Sequence, residues 1–250
     1  MTQNMKFNEP HCLRTVFVLL KKELAAYFNS PIAYVVISVF LVVGNWLFFK
    51  TFFLLNDGSV RAYFDQLPWL LLFLAPALTM RLWAEEKKVG TIEFLLTLPI
   101  YDWEVVVAKF LGSAVFLALT LGLTASLPVT VNYLGGLDVG PVIGGYVGAY
   151  LLGLAFLAVG LAASCLTKNQ IIAFLITLAV CFALFIGGSD LVLAGLPDWW
   201  RDLLTYLGFY NHYANAAKGV LDSRDFIYYF TVINFFLWLN TLFLEGRKWR

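Results

Sequence analysis

The side chains best suited to chemistry lie in one C-terminal stretch, where Asp190, Asp198, Asp202, His212, Asp222 and Asp225 follow one another. Carboxylates and an imidazole hold a metal or move a proton only when their spacing brings them to one centre. Here the spacing fits no ligand template, and no Ser/His/Asp set accompanies it. Cys12, Cys165 and Cys181 form no Cys-x-x-Cys pair and read as small apolar packing residues. With only His11 and His212, a histidine-rich metal site is excluded. Gly-x-Ser-x-Gly and His-Glu-x-x-His are absent, and so is the Gly-x-x-x-x-Gly-Lys-Ser/Thr phosphate loop. The expectation is a chain that is not an enzyme, with no catalytic residue, no metal site and no cofactor of its own.

One polar segment does have organised spacing. It runs Ala84-Glu85-Glu86-Lys87-Lys88-Val89-Gly90-Thr91-Ile92-Glu93-Phe94-Leu95-Leu96-Thr97-Leu98-Pro99-Ile100, then Tyr101-Asp102-Trp103-Glu104, with Lys109 just inside the next apolar run. Charges open it, so it is expected to face water. Gly90-Thr91 can break and recap the chain. Thr91 to Leu98 then reads as a short helix with Ile92, Leu95, Leu96 and Leu98 apolar, stopped by Pro99. That is more apolar surface than a solvated loop needs, which marks a docking element.

The elements that hold this segment are written in the composition. Of 250 residues, 61% are hydrophobic and 13% charged, with mean hydropathy +0.79. Soluble domains carry about 45–50% apolar and about 25% charged residues, so lipid is the expected solvent. A net charge of +1 points to no nucleic-acid partner. The fold expected is all-α, with six transmembrane helices at about 31–55, 65–83, 105–134, 141–165, 170–187 and 226–244. The third is long, with a kink expected near Pro128. These spans make one domain, residues 31–250, preceded by an N-terminal segment, residues 1–30.

Basic residues set the orientation. With the N-terminus inside, twelve lie on the cytoplasmic side (Lys6, Arg14, Lys21, Lys22, Arg81, Lys87, Lys88, Lys109, Lys168, Arg247, Lys248, Arg250) and five outside. Both termini are therefore expected in the cytoplasm. Residues 1–30 lack a signal-peptide pattern, so the chain is expected to keep Met1. Within them, Val16, Leu20, Leu24 and Phe28 recur every four residues, Val16, Leu20, Glu23 and Tyr27 would be close neighbours on such a helix, and Lys21-Lys22-Glu23 breaks the apolar run. The expectation is an amphipathic helix lying in the membrane interface. Asn29-Ser30-Pro31 ends it and starts the first span. Residues 188–225 are too polar to span, and one or two short outer-surface helices are expected there. Trp199, Trp200, Leu203, Leu204 and Leu207 make the apolar stripe, and Asp198 the cap.

The run from Glu85 to Pro99, the acidic and aromatic residues after it, Lys109, and Leu74-Ala75-Pro76-Ala77-Leu78-Thr79-Met80-Arg81 upstream resemble the permease subunits of type-2 ABC exporters. The gliding-motility type and copper-enzyme-maturation type are the subtypes it looks like. The resemblance implies a homodimer, or a heterodimer with a related permease, in the bacterial inner membrane, above two separate ATP-binding subunits that carry ATP and Mg. It also implies that the helix after the second span is a coupling helix seated in a groove on the ATPase, and that an auxiliary periplasmic subunit can join. Carried over by position, the docking residues are Glu86, Gly90, Thr91, Glu93, Leu96 and Pro99, with Glu86 and Glu93 expected to meet basic residues on the ATPase. Two activities are compatible: export of a substrate, or transmission of ATP-driven motion to periplasmic proteins without transport. An apolar pore wall would suit a lipid, glycolipid or hydrophobic peptide.

Small residues mark the fourth span, with a GxxxG pair at Gly144 and Gly148 expected to serve packing within the subunit. Asn45, Asn132, Asn234 and Asn240 are expected to bond between helices. Lys50 and Asp65 are expected to reach the outer interface.

Overall fold

The computed structural model describes residues 9–55, 60–97, 99–135, 139–189, 192 and 197–248. Among them are eleven helices and no strand. In chain order they are α1 (Glu9–Phe28), α2 (Pro31–Leu55), α3 (Arg61–Val89), α4 (Thr91–Thr97), α5 (Asp102–Leu123), α6 (Ser126–Gly135), α7 (Val139–Leu166), α8 (Gln170–Ile186), α9 (Asp198–Leu207), α10 (Phe209–Ala217) and α11 (Ser223–Lys248).

Five helical segments are long and apolar enough to cross a bilayer: residues 31–52, 61–89, 102–133, 139–166 and 223–246. At the place expected for the fifth span, α8 is a mainly apolar helix of 17 residues. At 1.5 Å per residue that is about 25 Å, slightly under the hydrocarbon thickness. Asn169 caps it, accepting the Ile171 N–H at 2.9 Å.

The third expected span is two helices. The chain turns at Thr124-Ala125, about one turn before Pro128. A proline ring collides with the carbonyl four residues earlier, which here is that of Thr124. The break therefore precedes the proline that causes it. Thr124 closes α5 by donating its N–H to Leu121 O at 3.0 Å.

The centre of the bundle is α7, which packs against α3, α5, α8, α10 and α11. Its small residues permit this. At Gly144 an added Cβ would sit 2.4 Å from the Ala216 carbonyl oxygen and 2.8 Å from Gly219 Cα. Both are backbone atoms and cannot swing away. At Gly148 an added Cβ would sit 2.6 Å from the Ala216 methyl, so the GxxxG pair packs within the subunit, as expected. Gly144→Ala is expected to cost about 1–3 kcal/mol from overpacking, read as a lower unfolding temperature of the detergent-solubilised protein. By contrast, α2 and α11 turn large side chains outward, among them Val42, Trp46, Phe230 and Trp238.

Polar groups in the spans mostly satisfy themselves along their own helix. Asn45 Nδ2 donates to Leu41 O at 2.6 Å, and Asn234 Nδ2 to Phe230 O at 2.7 Å. The interhelical bonds expected of these asparagines are replaced by bonds one turn back, which need no partner helix. Asn132 is exposed, and Asn240 is buried with neither side-chain atom hydrogen-bonded. Lys50 Nζ lies 5.5 Å from the Trp46 ring centroid.

Beyond α8 the chain forms two short helices, α9 and α10, joined at Gly208. The Trp199-to-Leu207 stripe falls on α9, where Leu204 is half-buried and Leu207 exposed. The expected cap is displaced by one residue: Pro197 occupies that position and Asp198 begins the helix. Residues 190–191 and 193–196 of this region lie outside the described residues.

Candidate functional site

The polar segment after the second span forms a different structure from the water-facing connection expected. Instead of ending at 83, α3 continues to Val89. Ala, Glu and Lys are strong helix formers, and no breaker occurs before Gly90. Lys87 is buried, and its ammonium donates to the Cys165 carbonyl at the end of α7. Ser164, one residue earlier, enters the α3 backbone ladder. Its hydroxyl donates to Met80 O at 3.1 Å and accepts the Trp83 and Ala84 N–H groups at 3.2 Å each. The α7 end thus clamps α3 where it leaves the bundle. Ser164→Ala strips partners from buried backbone groups and is expected to cost about 1–2 kcal/mol, measured by thermal unfolding.

Gly90 ends α3 in the left-handed region, at φ 83°. A glycine closes a helix this way without the Cβ clash that other residues meet. The turn folds α4 back against α3. Ile92 and Leu95 are thereby buried, while Phe94 is 71% exposed and Val89, Glu93 and Thr97 also face outward. The apolar face read from the sequence is thus partly consumed inside the subunit. What α4 presents is Phe94 with Glu93 and Thr97 beside it. Pro99 lies exposed just beyond, and the side chains of Leu96 and Leu98 lie outside the described residues.

Behind α4 a buried charge cluster joins three helices. Lys109 of α5 is 2% exposed. Its Nζ donates to Glu86 Oε1 of α3 at 2.8 Å and to Glu23 Oε1 of α1 at 3.0 Å. The ammonium also lies 4.9 Å from the Trp83 ring centroid. Lys22 stands 3.9 Å from the same Glu86 oxygen, on the exposed side. Close approach of α1 to α5 depends on Gly112, where a Cβ would sit 3.0 Å from Glu23 Cβ.

One turn further along α1, Tyr27 stacks on Phe116 of α5 with centroids 4.8 Å apart and donates its hydroxyl to Leu78 O at 3.0 Å. Burial pushes the phenol's pKa above its ordinary value; Arg81, 4.8 Å from the ring centroid, works against that rise and Glu23 adds to it. The hydroxyl therefore stays a donor. Arg81 also donates to Ser30 Oγ at the α1–α2 corner. A cleft of about 420 Å³ opens beside the cluster, lined by Lys22, Arg81, Glu85, Glu86 and Thr91 among others.

At the opposite end, His212 of α10 binds Asp225 of α11, Nδ1 to Oδ1, at 2.6 Å, and its ring stacks on Tyr228 at 3.9 Å. Asp222 accepts the Arg224 N–H at 3.0 Å and caps α11. Among the described residues, no group of three or more His, Cys, Asp or Glu side chains could hold a metal ion.

The family model for the ABC-2 family transporter protein matches residues 60–244. The chain belongs to this family. No curated protein sequence matches it. As an ABC-2 family member it is a multi-pass membrane protein and a permease component of an ABC transporter. Membership implies an ABC ATP-binding partner and contact with membrane lipid.

The site residues carried by the resemblance fall into two groups in this ABC-2 permease. Gly90, Thr91, Glu93 and Pro99 are exposed along the turn and α4, and Leu96 lies on α4. Glu86 stands apart, half-buried one turn before the end of α3 and held by Lys109. The sequence left Glu23, Lys109 and Phe94 without roles. A signal for Glu23 existed: it is the one charge on the Val16, Leu20, Tyr27 face, where Glu23 and Tyr27 are buried and Val16 and Leu20 half-buried. For Phe94 the signal was the helical wheel, since Ile92 and Leu95 cannot be buried together with Phe94 on a seven-residue helix.

Proposed function

We propose that this chain is one half of the permease of an ATP-driven exporter, with six spans counting α8 and both termini in the cytoplasm. It pairs with a second permease chain and stands on two separate ATP-binding subunits, which carry ATP and Mg. This chain binds no cofactor and performs no hydrolysis. Its motif resembles those of the gliding-motility and copper-enzyme-maturation types.

The observation that supports this reading is α4. It is a short helix beyond the last turn of α3, fixed from behind by Ile92 and Leu95 and offering Phe94, Glu93 and Thr97 outward. An exposed aromatic on a preformed helix is an anchor for a groove. Glu93 is the acid placed to meet basic residues on the ATPase, and Glu86 serves docking indirectly by fixing the end of α3. Closure of the ATPase dimer would push α4, and the Ser164 and Lys87 clamps would carry the push into α7 at the bundle centre. Motion of packed helices between two arrangements is a usual route for such signals.

The test is co-expression with its ABC ATP-binding partner subunit. A stable complex, and ATPase activity that changes on binding, are expected. Separate elution of the two chains would refute the docking reading. Stimulation of the reconstituted complex by an amphiphilic substrate would separate export from purely mechanical transmission.

A further inference from the structure

We infer that the Glu23–Lys109–Glu86 cluster is a register lock that makes α1 move with the docking segment, so that Glu23 and Lys109 are positioning residues for energy coupling. This rests on the docking reading above. Three observations converge on it. The cluster joins three helices that are distant in sequence, with both lysine contacts at 3.0 Å or less. Glu86 lies four residues before Gly90, so whatever displaces α4 acts first on the turn that holds Glu86. The cleft beside Lys22, Glu86 and Thr91 leaves room on one side for that displacement.

The charges show how the tie to α1 can be cut without breaking the rest of the cluster. Lys109 has three N–H donors and gives one to each carboxylate. The cluster carries two negative charges and one positive, and Lys22 supplies a further cation at the exposed edge. Removing Glu23 leaves a neutral, hydrogen-bonded Lys109–Glu86 pair between α3 and α5. Only the Lys109 contact to α1 is cut, while Lys22 stays at the exposed edge beside Glu86. The three helices are then joined there by the Tyr27–Phe116 stack and its neighbours.

The decisive measurement uses the permease alone in nanodiscs, with spin labels at Lys21→Cys on α1 and Lys88→Cys on α3 and the native cysteines replaced by serine. The starting protein is expected to give one narrow distance distribution. Glu23→Leu is expected to give a broad or two-peaked one at an unchanged unfolding profile. Glu23→Gln keeps an acceptor oxygen for Lys109 and is expected to stay narrow. In the complex with the ATP-binding subunit, Glu23→Leu is expected to co-purify normally while permease-dependent ATPase activity falls roughly fivefold or more.

A narrow distribution in Glu23→Leu would overturn the lock. So would loss of folded protein in that variant, because the Lys109–Glu86 pair and the Tyr27 packing are untouched. Failure of the two subunits to bind would defeat the docking reading and leave the spin-label result to decide the lock.

Discussion

Replacing Phe94 with Asp is expected to abolish co-purification of the ATP-binding subunit while leaving the permease itself folded. Phe94 is 71% exposed on α4, so its replacement removes little from the subunit. Exposed substitutions away from special backbone positions usually change stability by no more than about 0.5 kcal/mol. In a docked groove the same ring would lose about 150–250 Å² of exposed surface. Central aromatic anchors of this kind cost about 2–4 kcal/mol or more when removed, a weakening of roughly thirtyfold upward. A buried carboxylate in place of the ring adds a desolvation cost.

Two comparisons give the experiment its meaning. Ile92→Ala is expected to destabilise the permease first, because Ile92 is buried inside the subunit. Glu93→Lys is expected to weaken binding more at low salt than at high salt, as a rim charge does. Unchanged binding by Phe94→Asp, read by affinity capture and by sizing of the complex, would remove α4 from the docking role.

The contrast between Ile92 and Phe94 shows where sequence reasoning stops. Spans such as 31–55 and 141–165 were legible because an apolar run of that length has only one backbone solution in lipid. Placing the end of the second span at 83 treats Lys87 and Lys88 as water-facing charges. Lys87 instead reaches a carbonyl at the end of α7, and the helix runs to Val89. No spacing within one segment could foretell that acceptor. The amphipathic first helix was legible as a helix. The helix expected to lie in the interface also turns Glu23 and Tyr27 inward against α5. A charge on an inward stripe makes sense only once its partner is known, and Lys109 lies far along the chain. The short helix after Gly90 was legible from its glycine break and proline stop. Which of its apolar residues face outward was not, because that depends on how Gly90 folds α4 back onto α3.

Lys109→Ala is expected to be the most damaging single substitution in the structure. It would leave buried Glu23 and half-buried Glu86 close together, with Lys22 beside Glu86 at the exposed edge as the remaining cation. Removing one partner of a buried ion pair typically costs about 3–5 kcal/mol, because the remaining charge stays uncompensated. The contact of the ammonium with the Trp83 ring is lost as well. For a chain of this size the penalty corresponds to a fall of roughly 6–20 °C in unfolding temperature. Detergent-solubilised protein followed by thermal unfolding, or by inactivation rate at fixed temperature, reads it.

The same reasoning predicts its own reversal. Combining Lys109→Met with Glu23→Gln and Glu86→Gln removes all three charges together and fills the space with groups of similar volume. Buried ion clusters replaced in this way are often no less stable than the original. The triple variant is therefore expected to recover most of the lost stability, yet not the coupling, since no charged contact then ties α1 to the turn before Gly90. A triple variant as unstable as Lys109→Ala would show that the cost came from lost packing around the lysine stem, and the electrostatic account of this cluster would fall with it.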